Sequence, residues 1–414
     1  MMERDESELQ FEVARKKEEL IRTAPNDTFF LVHILFFMLG LLHFMPYNYF
    51  TCAFNYWMYK FRDTEDEDWT PTHPKNILQS EFAASTQICS AIPSVLFLTL
   101  TTIYGNMVKV QIRMYGSLAT LLVMFIMFTI LIEVNTDSFA NSVMGITLFL
   151  FIAKFPNIYL KSYLLGNAVA GLCNSLLEVL ALSIGTTVHE SALIYFLTGT
   201  SFVAVSILFY VVGQQLEYFK HFVGNIADEK VAKRPVHFNE MKEILKETWA
   251  ANTVFVLVTL TGMVNPAVTA LVVSEDESDS EWATEYFVPV CTFLMFDIGD
   301  LLGRSFSYIK IKYNNIVVVI INVIRFFVVF VLIMLCRTEP RKHLPIVFKH
   351  DYQYIIIMLI YATTAGYFFN FAYIMVQDTL TASKVQLGYS VLTTGYGIVS
   401  AVFSIVAWFL VYML

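Results

Sequence analysis

Along the chain, long apolar runs alternate with short clusters of charge, which concentrate in residues 1–27, 60–81, 215–248, 274–285 and 337–351. A helix rises 1.5 Å per residue, so roughly 20 apolar residues cross the ~30 Å hydrocarbon core of a bilayer. The pattern predicts spans near 29–53, 86–107, 114–133, 139–160, 164–187, 190–214, 249–273, 286–309, 314–336, 352–377 and 387–413. The fourth is the shortest: from Phe139 to Ala153 it offers only ~22 Å of helix before Lys154 and Pro156. The runs are continuous in Leu, Ile, Phe and Val, unlike the alternating strands of a membrane barrel. The expected fold class is an all-α polytopic membrane protein with a bundle of eleven transmembrane helices.

Composition agrees, with 57% hydrophobic and 15% charged residues over 414 positions, against about 25% charged in an ordinary soluble domain. Residues 1–27 are polar and mixed in charge, without the basic–apolar–small order of a cleaved leader, so the run from Phe29 is read as a retained span. The five cysteines, Cys52, Cys89, Cys173, Cys291 and Cys336, are odd in number and dispersed, which argues against a disulfide framework or a metal site. The net charge of −8 comes mainly from acidic tails and loops and points to no partner, nucleic acid included.

Charge bias sets the orientation. With a cytoplasmic start and eleven spans, 18 Lys and Arg fall inside, 7 outside, and two, Arg304 and Arg325, within spans, as the positive-inside rule requires. Omitting the fourth span would put the six-base segment 215–248 outside and the acidic Ser274–Glu285 loop inside. The basic Arg337–Lys349 loop runs against the rule. The organisation expected is a cytoplasmic tail (1–28), spans 1–6 (29–214), a solvated, hinge-like cytoplasmic linker (215–248) and spans 7–11 (249–414). A six-plus-n split around a cytoplasmic linker is common in carriers whose halves rock about a central site. No strong internal repeat is evident.

The chemistry concentrates in the eighth run. Phe296-Asp-Ile-Gly-Asp-Leu-Leu-Gly-Arg304 sets two carboxylates and a guanidinium in a segment, Phe287 to Tyr308, with no other charge. A charge at mid-bilayer costs roughly 2.5–3.5 kcal/mol even on lenient scales, so such groups pair or face a wet interior. At ~100° per residue, Asp297, Asp300 and Arg304 share one helix face. Asp297 and Asp300 are three residues apart, a like-charge pair that favours a shared proton. Proton-linked transport is one expectation; the other is Asp297 ionised against Arg304 or Arg325.

Order and spacing of several segments resemble the equilibrative nucleoside transporters over nearly the whole chain. They are Phe36-Phe-Met-Leu-Gly40 leading to Pro46-Tyr-Asn-Tyr49, the Phe296–Arg304 signature, Gly262-Met263 with Pro266-Ala-Val-Thr269, and Tyr286-Phe287-x-Pro289-Val290. Arg325, Pro340-Arg-Lys342 and Val347-Phe348-x-His350-Asp351 follow. The resemblance implies a major-facilitator-like bundle, a cytoplasmic N-terminus, an extracellular C-terminus, and passive nucleoside movement by alternating access without ATP. It also assigns roles. Arg304 would hydrogen-bond ribose, using the planar five-donor guanidinium, with Asp300 holding it, unless the pair instead gates the cytoplasmic end. Phe293 would stack on a base or simply pack. Tyr47 stands where the family has tryptophan, and Pro46, Tyr47 and Asn48 would break the first helix near a cavity or merely kink it.

Departures from the family pattern leave selectivity open. Asp297 replaces asparagine, Thr51 a methionine and Asn265 a phenylalanine, and the shortened fourth span leaves no counterpart for a substrate-contacting glutamine, Lys161 included. His43 reads as packing or pore lining, and Glu178 as a weak cation or proton site. The expected partners are a nucleoside or nucleobase and the lipid bilayer, with the plasma membrane as the expected location. The alternatives are another proton-linked or small-solute carrier and a non-transporting paralogue or splice form. No metal spacing, nucleophile elbow or Walker-type loop occurs, so no enzyme activity or cofactor is expected. The Asn-x-Ser/Thr sequon Asn26-Asp27-Thr28 lies in the tail, outside every expected external loop.

Overall fold

In the computed structural model, residues 15, 18–62, 76–131, 155–184, 188–227 and 236–414 are described, apart from 277, 279, 310, 340, 342, 382 and 383. Among them the chain is helical, with two isolated bridges, Val272 with Thr338 and Cys336 with Phe348. The α-helices are α1 Leu31–Cys52, α2 Phe54–Lys60, α3 Ile77–Tyr104, α4 Val110–Leu131, α5 Asn157–Ile184 and α6 Val188–Gly213. They continue as α7 Glu217–Ala227, α8 Phe238–Glu247, α9 Trp249–Leu260, α10 Met295–Phe306, α11 Asn315–Met334, α12 Asp351–Thr379 and α13 Val385–Met413. Eight described helices are long and apolar enough to cross a membrane, and two shorter ones, Val110–Val123 and Trp249–Met263, stand at the expected third and seventh spans. Residues 139–154 of the expected fourth span lie outside the described residues, and 155–160 lead into α5.

Helix starts follow local chemistry. Asn76 caps α3 reciprocally with Gln79, each side chain accepting the other's backbone N–H at 2.8 and 2.9 Å. Asn314 caps α11 by accepting from the Ile316 N–H at 2.9 Å.

Lipid gives apolar helices no hydrophobic reason to associate, so close packing over small residues must do it. In the α1–α5 crossing, a Cβ at Gly40 would fall on the Tyr163 carbonyl, and one at Gly166 on that of Phe37. In the α10–α12 crossing, Gly299 abuts Ala362, Gly303 the Thr363 carbonyl, and Gly366 the Asp300 backbone. The α3–α13 pair is pinned by Thr102 and Thr394, whose hydroxyls lie 2.8 Å apart. Helix α5 runs antiparallel to α10: Tyr308 donates to the Lys161 carbonyl at 3.1 Å at one end, and Ser183 meets Tyr286 at 3.4 Å at the other.

Four local expectations are corrected. Pro46 does not break the first helix, which runs on to Cys52 and turns at Ala53. Met45 and Pro46 are buried, and Asn174 of α5 reaches the Met45 carbonyl at 3.4 Å, as neighbouring helices allow. The seventh span is not one helix to residue 273: its α-helix ends at Leu260, followed by short 3₁₀ turns at Thr261–Met263 and Thr269–Leu271. The eighth span is α-helical only from Met295; Trp282–Tyr286 and Val288–Leu294 wind as wider π turns, so a uniform 100° step fails upstream of the motif. The 215–248 segment is not solvated throughout. Tyr218, Phe219 and Phe222 of α7 pack around Phe155, and Ile244 of α8 is buried.

Candidate functional site

These crossings enclose a cavity of about 370 Å³ lined from α1, α3, α5, α9, α10, α12 and α13. That size falls in the ~300–1,000 Å³ range of small-molecule sites. Asp297, Asp300, Arg304, Phe293 and Asn48 all line it. Tyr47 lies on the α1 backbone, but its side chain is outside the described residues.

Asp300 and Arg304 are one helical turn apart on α10, and the Arg304 Nε donates to Asp300 Oδ2 at 2.7 Å. Both are buried, at 9% and 5% exposure. Gly303 and Gly366 bring α12 close enough to shield the pair from lipid. The guanidinium carbon lies 4.5 Å from the Phe369 ring centre and 5.7 Å from that of Phe44, so aromatic faces hold it as well. Its Nη1 is buried with no hydrogen-bond partner among the described residues. A buried donor without a partner is costly, and here it stands on a cavity wall.

Asp297 does not pair with Arg304 or Arg325. It sits over Gly171 of α5 and accepts a hydrogen bond from the Ser175 hydroxyl. A Cβ at Gly171 would strike this carboxylate, so the glycine makes its niche. Arg325 of α11 is buried off the cavity; its Nε donates to Thr364 at 2.8 Å and its guanidinium lies 6.0 Å from the Tyr361 ring. His43 lines the cavity, as expected, and its Nδ1 lies 2.6 Å from the Tyr163 hydroxyl. Glu178 is buried in α5, off the cavity lining. Lys161 is also off it, with its ammonium 5.2 Å from the Tyr308 ring.

The unwound stretch after α9 forms another wall, at Thr261, Gly262, Met263, Asn265 and Pro266. Non-helical backbone survives at membrane depth only where its polar groups find partners or face a cavity. Both hold here. Tyr361 donates to the Thr261 carbonyl at 3.2 Å, Gln87 to those of Gly262 and Asn265 at 3.2 and 2.9 Å, and Thr292 and Tyr354 to that of Thr269, each at 3.2 Å.

Several lining residues escaped sequence reasoning: Thr86, Gln87, Ser90 and Ser94 on α3, and Thr393, Tyr396, Ser400 and Ser404 on α13. Each set recurs at helical spacing within an apolar run, and that polar stripe was the available signal.

Comparison with known proteins adds relatives. The sequence pattern of the family described as Nucleoside transporter matches residues 129–234 and 223–387. Equilibrative nucleoside transporter 3 of Rattus norvegicus is 26% identical over 397 residues, spanning 83% of this chain and 81% of that protein. Equilibrative nucleoside transporter 2 of Rattus norvegicus is 27% identical over 407 residues (83% and 89%), and equilibrative nucleoside transporter 1 of Homo sapiens 26% over 404 (83% and 88%). A solved structure from work on substrate recognition in proton-dependent oligopeptide transporters covers 92% of this chain and 98% of that one, at 12% identity and a TM-score of 0.33. So loose a superposition carries no argument.

Proposed function

Because the chain belongs to the nucleoside transporter family, whose pattern spans more than half of it, we propose that it carries nucleosides across a membrane down their gradient by alternating access. The chain is not an enzyme; it is a multi-pass membrane carrier. The observation that carries the site assignment is the Arg304–Asp300 pair, buried, ring-flanked and facing the cavity with one guanidinium nitrogen unpartnered. Asp300 fixes and neutralises the guanidinium, leaving its outer donors for ribose hydroxyls. Phe293 offers a face to the base, with Asn48 at the α1 wall and Tyr47, by the family pattern, as a further substrate contact. Residues 29–214 and 249–414 act as two halves joined by a cytoplasmic linker, with the N-terminus inside and the C-terminus outside, at the plasma membrane. Alternation needs no bound energy source, only a site exposed in turn to each side.

Uptake of radiolabelled adenosine and uridine in transporter-null cells, with surface protein measured in parallel, tests this. Internal concentration is expected to approach the external one without exceeding it. Surface protein that moves neither compound overturns the reading.

A proton-linked variant has one observation in its favour: Asp297 lines the cavity with a hydroxyl, not a cation, as its partner among the described residues. A carboxylate that must be neutral for the loaded carrier to turn over makes uptake rise as pH falls. Wild type is then expected to take up more at pH 5.5 than at 7.5, and Asp297→Asn, neutral at both, to show a flat profile. Identical profiles for the two proteins remove proton linkage and leave the nucleoside reading standing.

A further inference from the structure

Gln87 reaches across the cavity wall from α3 to the unwound stretch after α9. Its side chain is largely buried, at 8% exposure, and lines the cavity. Nε2 lies 3.2 Å from the Gly262 carbonyl and 2.9 Å from that of Asn265. Two carbonyl oxygens at those distances can only face the amide nitrogen, so the orientation of the amide is settled by its neighbours. Both N–H groups are thereby used. What remains is Oε1, an acceptor with no partner among the described residues. The carbonyl pair belongs to backbone that has left the helix, and it holds the amide rigidly at the wall. Beside it, Gly262 keeps the space open: a Cβ there would meet nothing within 4 Å.

We propose that Gln87 Oε1 reads the base of the substrate, accepting a hydrogen bond from an N–H on the edge remote from the sugar. This rests on the nucleoside reading above and adds a selection rule to it. With Arg304 donating to ribose hydroxyls on α10, Gln87 supplies an acceptor-only contact from α3. The preferred class is therefore nucleosides whose base carries an N–H at that edge. Analogues alkylated there leave the acceptor buried and unpaired, which a site built around a hydrogen bond rejects far more strongly than a mere change in size.

The test uses the intact carrier in cells, with uridine, N3-methyluridine and 5-methyluridine as competitors of radiolabelled uridine uptake. N3-methylation removes the imide N–H; 5-methylation adds the same bulk and keeps it. N3-methyluridine is expected to compete at least about tenfold more weakly than uridine, and 5-methyluridine within about twofold of it. In Gln87→Met, similar in length but without the acceptor, uridine and N3-methyluridine are expected to compete equally. The wild-type comparison stands even where Gln87→Met fails to reach the surface. Uridine uptake with equal competition by all three compounds overturns the proposal alone, as does an equal loss for both methylated analogues. Surface-expressed wild type that takes up no uridine overturns the nucleoside reading, and this proposal with it.

Discussion

Arg304→Ala is expected to lower adenosine and uridine uptake at least about a hundredfold while the protein still reaches the cell surface. Charge-assisted hydrogen bonds contribute about 1.5–3 kcal/mol each, and removing the guanidinium deletes every one it offers to a ligand. A second loss follows from Asp300, which accepts from Arg304 at 2.7 Å and would remain as a buried carboxylate without its cation. Breaking a buried pair from one side typically costs about 3–5 kcal/mol. Here the vacated volume adjoins the cavity, so water or a proton can relieve part of that cost, and folding survives better than binding. Arg304→Lys separates charge from geometry. The ammonium still neutralises Asp300 but lacks the planar fork, and its uptake is expected to fall between alanine and wild type, nearer alanine. Near-wild-type uptake by Arg304→Ala at equal surface density would remove this pair from the transport site.

Gly303→Val is expected to act by a different route, removing surface protein and uptake together. A Cβ at Gly303 would fall on the Thr363 carbonyl oxygen and crowd the Tyr367 amide, both backbone atoms of α12. Backbone cannot rotate away as a side chain can, so the two helices must part. Overpacking a well-packed site typically costs about 1–3 kcal/mol, and packing of this kind is the main force holding helices together in lipid. Gly262→Ala is the matched control, because its new methyl meets open space. It is expected to keep wild-type thermal stability in detergent, whereas Gly303→Val lowers the melting temperature sharply. Equal stability of the two variants would sink the packing account of the α10–α12 crossing.

The comparison of glycines shows how far local pattern carries. Gly299 and Gly303 stand four residues apart in the sequence, a spacing that invites close helix contact, yet nothing local names α12 as the helix that lies there. The charged motif was legible for a stronger reason. Asp297, Asp300 and Arg304 sit in a run that otherwise belongs in hydrocarbon, and the energetic penalty alone requires an interior or aqueous setting. Their division of labour was not legible. Asp300 takes the arginine because it is one helical turn away, while Asp297 takes a serine from α5, 122 residues earlier in the chain.

Two prolines make the same point in the backbone. Pro46 and Pro266 each interrupt an apolar run and carry the same local message, a missing N–H and a crowded preceding turn. The helix continues through Pro46 and is already undone before Pro266. The chain around Pro266 can leave the helix because Gln87, Tyr361, Thr292 and Tyr354 accommodate its freed carbonyls.

What the sequence by itself determined is the medium and the location of the chemistry: membrane-length apolar helices, and one motif whose charges lipid would not tolerate. Burial energies of that kind depend on residue type and run length, which a one-dimensional chain already contains. What only the tertiary structure decided is which groups meet: the pairing of Asp300 with Arg304 against Phe369, the niche that Gly171 opens for Asp297, and the amide of Gln87 held across the cavity. Hydrogen bonds and packing act over a few ångströms, and contacts that short are set by the crossing of helices distant in sequence.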